Sequence, residues 1–311
     1  MSAGVGVSRR GLLAGAGALA AGALSGPAAA AAGEEREPFG YCLNVATIRG
    51  QRLSIDQQAE VAAQAGYRAL EPWTRDIRQY HKQGGSLGDL RKKLADLGHE
   101  VPSAIGFARW IADDETQREK ALEQIRGDMD LLRRIGATGM AAPPAGARRP
   151  LDLAAAARRY RAVLELGDET GIVPQLELWG PSALHTVGQA AMVAADAGHP
   201  KALLLLDAYH IYKGGGNFAG LRLLGPHAMH AFHLNDYPDD PPREEIGDRD
   251  RVMPGDGVAP LGDILRTLRD VGFRGWLSLE LFNPDYWRRP ALETAKTGLA
   301  KMKAVVAAAL A

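Results

Sequence analysis

Cysteine is almost absent from this 311-residue chain, which contains only Cys42. One cysteine forms no intramolecular disulfide and excludes a C-x-x-C redox or metal motif. An excess of either charge is also absent, because 37 lysines and arginines balance 37 aspartates and glutamates. The overall charge therefore gives no support for binding to nucleic acid or to an anionic membrane, and a small neutral partner is favoured.

Long apolar runs are missing after the first 32 residues, so no later segment is expected to cross a membrane. Residues 1–32 place Arg9 and Arg10 before a weakly apolar Ala/Gly/Leu run and an alanine-rich end. This order is typical of an export signal, and SRRGLL resembles a twin-arginine signal. Pro27 and seven glycines disfavour the alternative, a membrane-anchoring helix. We therefore expect export by the twin-arginine route to the periplasm or the extracellular space, with no stable membrane anchor.

From Gly40 onward one pattern recurs: a helical Ala/Leu/Arg-rich stretch, a glycine that ends the helix, and a short apolar run. Helical stretches between apolar runs favour parallel strands joined by crossover connections. With the opening run FGYCLNVA, eight strand–helix units predict an α/β fold, a single (β/α)8 TIM barrel over residues 38–311. The other seven runs are AGYRALEPW, LGHEVPSAIGF, IGATGMAAP, TGIVPQLELW, AGHPKALLLLD, LGPHAMHAFHLND and VGFRGWLSLELF.

A doubly wound sheet is the competing α/β arrangement. The glycines at 214–216, with Asp236 about 20 residues later, superficially match a dinucleotide-binding fingerprint. They begin seven residues after Asp207 instead of directly after the strand, so a loop over the barrel mouth is favoured. The irregular stretch 237–257 is long for a barrel loop, and we expect a lid over the site or a solvated surface loop.

Four apolar strands end in a potential metal ligand: Glu177, Asp207, His233 and Glu280. Because catalytic groups lie on the carboxyl ends of barrel strands, these side chains are expected to converge at one mouth. Each of them alone also has a structural interpretation, such as an ion pair with arginine or a core histidine. Together, three carboxylates and one imidazole predict one divalent metal site that suits Mn²⁺ or Mg²⁺, with Co²⁺ or Zn²⁺ as alternatives.

Several short motifs surround these residues: Glu71 in ALEPW, Glu177 in LELW, Asp207-x-x-His210 in LLDAYHIYKGGG, His233-x-x-Asp236 in HLND, Arg251 in DRVMPGDG and Glu280 in LELFNPDYW. With these motifs, residues 38–307 resemble the sugar phosphate isomerase/epimerase family of xylose isomerase-like barrels. The resemblance implies that the four strand-end residues are the ligands of a single metal ion. It also implies that His210 and Arg251 hold substrate oxygens.

The chemistry of these residue types points to proton transfer on a carbohydrate. A divalent ion bound to a sugar carbonyl and its neighbouring hydroxyl acidifies the C–H bond between them and stabilises an enediolate. Glu177 and Glu280 are expected to act as base and acid as well as ligands. The leading hypothesis is therefore a sugar or keto-sugar isomerase or epimerase. Expected substrate contacts are Glu71, His210, Lys213, Arg251 and Trp179.

Other interpretations stay open. Trp73, Trp110 and Trp287 either stack on pyranose faces or only pack loops, and Asn44 is the weakest candidate. A metal-dependent lyase or dehydratase acting on an oxidised sugar or cyclitol would use a similar metal and base, and a sugar-binding barrel would need no chemistry. DNA repair is disfavoured. The endonucleases of the superfamily that this chain resembles carry additional histidines that bind a three-zinc cluster, whereas this chain has Glu71 and Arg251 at corresponding places. The chain also lacks a recognisable phosphate-cradling loop. A homo-oligomer is compatible with the sequence.

Overall fold

The computed structural model describes Met1 and residues 37–311. Apart from Met1, the expected export signal at residues 1–32 lies outside the described residues. Residues 37–311 belong to one compact unit. Across the described part of the chain, no helix combines the length and the apolar character needed to cross a membrane.

Seven strands form one sheet: β1 Gly40–Asn44, β2 Ala69–Glu71, β3 Gly139–Ala142, β4 Val173–Glu177, β5 Leu203–Asp207, β6 Met229–His233 and β7 Trp276–Leu279. They are parallel and follow the order β2-β1-β7-β6-β5-β4-β3. An extended segment, residues 100–105, runs between the two terminal strands β2 and β3. Leu70 N donates to Glu100 O and Ala141 N donates to Ala104 O, each at 2.9 Å. The sheet is thereby closed into a barrel.

The third of the eight expected strands is not a regular strand. Isolated bridges at its two ends join Glu100 to Ala69 of β2 and Ile105 to Trp73, which lies just beyond β2. Pro102 has no N–H for a ladder, and its carbonyl accepts instead from Gln175 Nε2 at 3.0 Å. A Cβ atom on Gly139 would lie 2.4 Å from both groups, so this close approach requires glycine. The barrel therefore contains seven regular strands and one extended segment.

Ten α-helices of the described chain surround the sheet. The last of them contacts β1 and packs between the first and eighth helices, at the point where the barrel closes. The helices are α1 Ile55–Ala65, α2 Thr74–Lys82, α3 Leu87–Asp96, α4 Glu115–Ile135, α5 Leu153–Thr170, α6 Val187–Asp196, α7 Ala208–Lys213, α8 Leu261–Asp270, α9 Pro284–Trp287 and α10 Ala291–Leu310, with 3₁₀ helices at Val45–Gln51, Phe218–Leu223 and Asp248–Asp250.

The ends of α1 show why the repeated pattern folds as expected. At its start the backbone N–H of the N-cap residue Ser54 donates to the side-chain oxygen of Gln57 at 3.0 Å, which is one of the two hydrogen bonds of a capping box. Gly66 ends the helix with φ of 98°, a left-handed conformation that other residues rarely adopt. The chain then turns back toward β2. The glycine signal in the sequence is confirmed here as a helix end.

Strand β5 shows how the core positions the site. Leu205 and Leu206 point to opposite faces of the sheet, and both are completely buried. Burying a leucine side chain contributes about 1.5–3 kcal/mol, so both faces hold the strand in place. The next residue, Asp207, is also completely buried. A carboxylate at this depth needs strong partners.

Candidate active site

Three polar side chains meet at the carboxyl end of the barrel: Asp207, His233 and Glu280. Each offers one ligand atom, and these atoms all lie within 4.8 Å of one another. Asp207 and His233 end neighbouring strands and are paired in register, while Glu280 directly follows β7. The structure thus brings together three of the four residues predicted to bind metal.

The fourth predicted ligand, Glu177, ends β4 and lies outside this three-residue cluster. The strand register pairs it with Leu205, two residues before Asp207. Burial raises the pKa of the Glu177 carboxyl well above its usual value, against the opposing charge of His233. Its assignment as a metal ligand stays a prediction, and the raised pKa makes its ionised form a stronger base than an ordinary glutamate.

The two ring nitrogens of His233 face different carboxylates. Nε2 lies 3.0 Å from Glu71 Oε2. Nδ1 lies 3.3 Å from Glu280 Oε2 and 3.5 Å from Asp207 Oδ2, yet it has no hydrogen-bond partner within the described residues. Burial would lower the pKa of His233, but Glu280 and Glu71 outweigh it and hold this pKa well above its usual value. An unpartnered buried nitrogen that faces two carboxylates fits a divalent cation.

Arg251 is completely buried beside the cluster. Its Nη1 donates to Asp207 Oδ2 at 2.9 Å and to Glu280 Oε2 at 3.0 Å. Burial would lower the pKa of Arg251, but the surrounding carboxylates raise it above its usual value, so the guanidinium stays charged. Arg251 therefore offsets part of the negative charge collected at this end of the barrel. The ring of Tyr209 lies under the guanidinium at 4.4 Å.

His210 lies on α7, directly above the end of β5. Its backbone N–H donates to Asp207 Oδ1 at 2.8 Å, so the same carboxylate caps the helix. Its Nε2 lies 3.1 Å from Arg251 Nη2. Burial and the charge of Arg251 lower the pKa of His210 to about 4, so the imidazole is neutral at pH 7. Its Nδ1 faces the backbone N–H of Gly180 at 3.4 Å, so both ring nitrogens have partners in the protein and contact with a substrate oxygen stays a prediction.

Two predicted substrate contacts have other partners in the structure. Lys213 Nζ donates to the carbonyl oxygens of Arg243 and Glu244 at 2.9 and 3.0 Å, and thereby ties α7 to the loop after β6. Glu71 is completely buried beneath His233. A substrate role for either residue stays a prediction, and the observed contacts favour structural roles.

Two asparagines donate hydrogen bonds to the carboxylates of the site, although the sequence provides weak support for one and none for the other. Asn44, the weakest candidate, donates to Glu71 Oε2 at 2.9 Å and to Glu280 Oε1 at 3.1 Å. Asn235, which was not singled out, donates to Asp207 Oδ2 at 2.9 Å. The only available signal was position, since both lie where an apolar strand ends. We call Asn44, Glu71, Asp207, His233, Asn235, Arg251 and Glu280 the polar cluster.

The expected lid, residues 237–257, is anchored to the barrel by Asp236. One or other oxygen of this carboxylate accepts the backbone N–H groups of Gly255, Gly257 and Ala259 at 2.9–3.1 Å. Within the segment, the 3₁₀ helix directly precedes Arg251 and leads this side chain into the site. The segment therefore supplies a site residue and is held in place by hydrogen bonds.

Aromatic rings border the polar cluster. Phe282, Trp73, Phe107 and Trp179 follow one another with ring centroids 6.2, 5.0 and 6.1 Å apart, and we call them the aromatic arc. Phe107 is 43% exposed, which is unusual for a large apolar side chain within a ring cluster.

Two further tryptophans have structural roles. Trp110 is buried and donates to Pro143 O at 2.7 Å. Trp287 donates to Ala46 O at 2.9 Å. These two contacts favour the interpretation of Trp110 and Trp287 as loop packing.

Residues 59–305 match the model of the xylose isomerase-like TIM barrel family. The chain belongs to this family. The match confirms both the barrel fold and the resemblance inferred from the strand-end motifs. Members of the family share a scaffold, and the activity depends on the residues at its mouth.

Individual relatives extend over most of the chain. An inosose isomerase of Bacillus velezensis is 26% identical over 272 residues, covering 85% of this chain and 96% of that protein. A 3-dehydroshikimate dehydratase of Pseudomonas putida is 24% identical over 264 residues, covering 79% of this chain and 39% of that protein. The crystal structure of an IolI protein with a bound zinc atom has a TM-score of 0.81 at 22% identity, covering 87% of this chain and 99% of that one. This structural similarity supports the common fold.

Proposed function

We propose that the protein is a divalent-metal-dependent isomerase or epimerase that acts on a keto-sugar or a cyclic polyol ketone. The observation that carries this proposal is the convergence of Asp207, His233 and Glu280, with the unpartnered Nδ1 of His233 facing both carboxylates. The similarity to inosose isomerases supports the reaction class. When bound, the ion would supply positive charge for the negative charge that develops on the substrate oxygens.

The residues of the chain would then divide the proton transfer between two glutamates. Glu177, in its ionised form, takes the proton from the carbon beside the carbonyl, and burial makes it a stronger base by raising its pKa. Glu280 acts as the acid on the other side of the substrate. Return of the proton to the former carbonyl carbon, with a hydroxyl proton passing between the two neighbouring oxygens, gives an isomer, and return to the opposite face of the original carbon gives an epimer. Arg251 and His210 hold substrate oxygens and keep the developing charge in place.

A dehydratase is the second candidate, since 3-dehydroshikimate dehydratases are also among the relatives. Both reactions begin with removal of a proton beside a carbonyl. They differ in the next step, because in a dehydratase a proton passes to the neighbouring hydroxyl group, which leaves as water with formation of a C=C bond, and no proton returns to carbon. The same glutamate would serve as base in either reaction.

Solvent exchange separates these candidates. The protein, loaded in parallel with Mn²⁺, Mg²⁺, Co²⁺ or Zn²⁺, is incubated in D₂O with ketoses, inososes, 3-keto-glycosides and 3-dehydroshikimate, and the products are read by NMR. Deuterium at one carbon of an intact skeleton supports isomerisation or epimerisation, and loss of water supports dehydration. Absence of exchange with every metal and every substrate would reject both. Glu100→Gln is the control variant. Because Glu100 is exposed near the other end of the barrel, this variant should give the same exchange and products as the wild type.

We further propose that residues 1–32 direct export by the twin-arginine route. The support is the sequence alone: paired arginines, a weakly apolar run and an alanine-rich end. A reporter fused to residues 1–40 should leave the cytoplasm, and replacing Arg9 and Arg10 together by lysine should retain it there. Unchanged export of the double variant would point to another route.

A further inference from the structure

The surroundings of Glu71 suggest a function other than substrate contact. This residue ends β2 and is completely buried. A single oxygen, Oε2, accepts from Asn44 Nδ2 at 2.9 Å, from Ser278 Oγ at 2.7 Å and from His233 Nε2 at 3.0 Å. These three donors belong to strands β1, β7 and β6. Glu71 therefore joins four strands of the barrel through one atom.

This contact determines which nitrogen of His233 faces the other carboxylates. An ionised carboxylate only accepts hydrogen bonds, so the ring nitrogen opposite Glu71 carries the hydrogen. In a neutral imidazole, the other nitrogen then carries the lone pair. That nitrogen is Nδ1, which lies 3.3 Å from Glu280 Oε2 and 3.5 Å from Asp207 Oδ2.

We propose that Glu71 is a positioning residue. It fixes the ring of His233 so that Nδ1 is directed at Asp207 and Glu280, which are the other two residues of the proposed metal site. This inference rests on the metal-dependent function proposed above. It replaces the predicted contact between Glu71 and substrate. The second oxygen of Glu71, Oε1, is also buried and has no hydrogen-bond partner among the described residues. Neither oxygen is therefore exposed to a ligand entering from the mouth.

The geometry also explains why a carboxylate lies so deep. A buried carboxylate is costly unless it is paired and hydrogen-bonded. The three donors to Oε2 provide this compensation, and the orientation of His233 is the result. Outer partners of metal-binding histidines contribute about 10–100-fold to metal affinity or activity. We expect an effect of this size for Glu71.

Zinc titration of the metal-free protein tests the proposal without any substrate. Glu71→Ala removes the acceptor, so zinc affinity should fall by up to about 100-fold. Glu71→Gln keeps one acceptor oxygen, so zinc affinity should fall by only about tenfold. Long-range ¹H–¹⁵N NMR of the histidine rings gives a second readout. In the zinc-loaded wild type the single His233 hydrogen should be on Nε2, and zinc-loaded Glu71→Ala should show a mixture of both ring forms.

Asp128→Asn is the matched control. Asp128 is also a buried carboxylate, but it pairs with Arg78 on the outer helices. Its replacement should lower stability and leave zinc affinity unchanged. This comparison separates a general loss of a buried charge from a specific effect on the metal site.

The outcomes distinguish this inference from the proposed function. Zinc affinity within about twofold of wild type in both Glu71 variants would overturn the positioning role. If Glu71→Ala does not fold, Glu71→Gln decides by the same criterion. If the wild-type protein binds neither zinc nor manganese, the proposed metal-dependent function itself is wrong. An increased KM of Glu71→Gln at saturating metal, with metal affinity unchanged, would restore the substrate contact predicted from the sequence.

Discussion

The mouth of the barrel has two unlike sides. Beside β5, β6 and β7, charged groups bond to one another, as Arg251 does to Asp207 and Glu280. Beside the extended segment and β4, aromatic rings line the mouth, and Phe107 is partly exposed between Trp73 and Trp179. One side is therefore a bonded network and the other is an apolar surface.

The difference implies a division of labour. A network with fixed donors and acceptors holds charge in place without reorganisation, which suits the binding of an ion and of anionic oxygens. Aromatic rings contribute through area and through stacking on apolar faces. Removing one partner of a buried ion pair costs about 3–5 kcal/mol, whereas an aromatic pair contributes only about 0.5–1.5 kcal/mol. Substitutions on the two sides should therefore differ in size and in kind.

Replacement of Asp207 by alanine should have the largest effect. The change removes a ligand atom, the cap of α7 and one partner of Arg251. Zinc affinity should fall by more than the roughly 100-fold typical of outer partners, and stability should fall by about 3–5 kcal/mol. Zinc titration and urea unfolding measure the two losses. Asp168→Asn, a change on the surface, should leave zinc affinity unchanged, and wild-type affinity in Asp207→Ala would remove Asp207 from the site.

Glu177→Gln should slow the reaction while leaving metal bound. The variant keeps an oxygen but loses the proton-transfer group, and such groups contribute about 10²–10⁴-fold in rate. Deuterium exchange at saturating metal measures this loss. If zinc affinity falls as far as in Asp207→Ala, Glu177 is a full ligand as first predicted from the sequence. An unchanged exchange rate would eliminate Glu177 as the base.

Metal affinity should increase with pH because protons compete for His233. In the metal-free protein its pKa lies well above the usual value, and a metal ligand must be unprotonated. Below this raised pKa, binding releases a proton, and affinity should rise about tenfold per pH unit until the pKa is passed. Calorimetry in buffers of different ionisation enthalpy counts the released protons. Affinity that does not change between pH 6 and 8 would contradict this.

Phe107→Ala tests the aromatic side and should have the smallest effect. Loss of about 0.5–1.5 kcal/mol corresponds to roughly a 2- to 10-fold increase in KM. Zinc affinity and stability should change little, since the ring is 43% exposed. Steady-state kinetics on the substrate identified by exchange measures the effect. Leu223→Ala removes another exposed apolar side chain and serves as the control. A loss of metal from Phe107→Ala would show that the two sides are not independent.

Local patterns in the sequence determined the barrel and the convergence of three of the four predicted metal ligands. Apolar runs that alternate with helical stretches require parallel strands, and parallel strands carry their final residues to the same mouth. Asp207, His233 and Glu280 could therefore be placed together from their positions alone. Pro102 was visible in the third run as well, but its effect on pairing depends on Gln175, which is 73 residues away.

The tertiary structure decided which polar residues are positioned to bind metal and which support them. Glu71 and Glu177 look alike in the sequence, because each ends an apolar run and precedes a tryptophan by two residues. Glu71 is surrounded by donors from three other strands, whereas burial raises the pKa of Glu177. Asn44 gains its importance through Glu280, which is 236 residues away. Hydrogen-bond partners so distant along the chain leave no local pattern, because only the closed barrel brings them into contact.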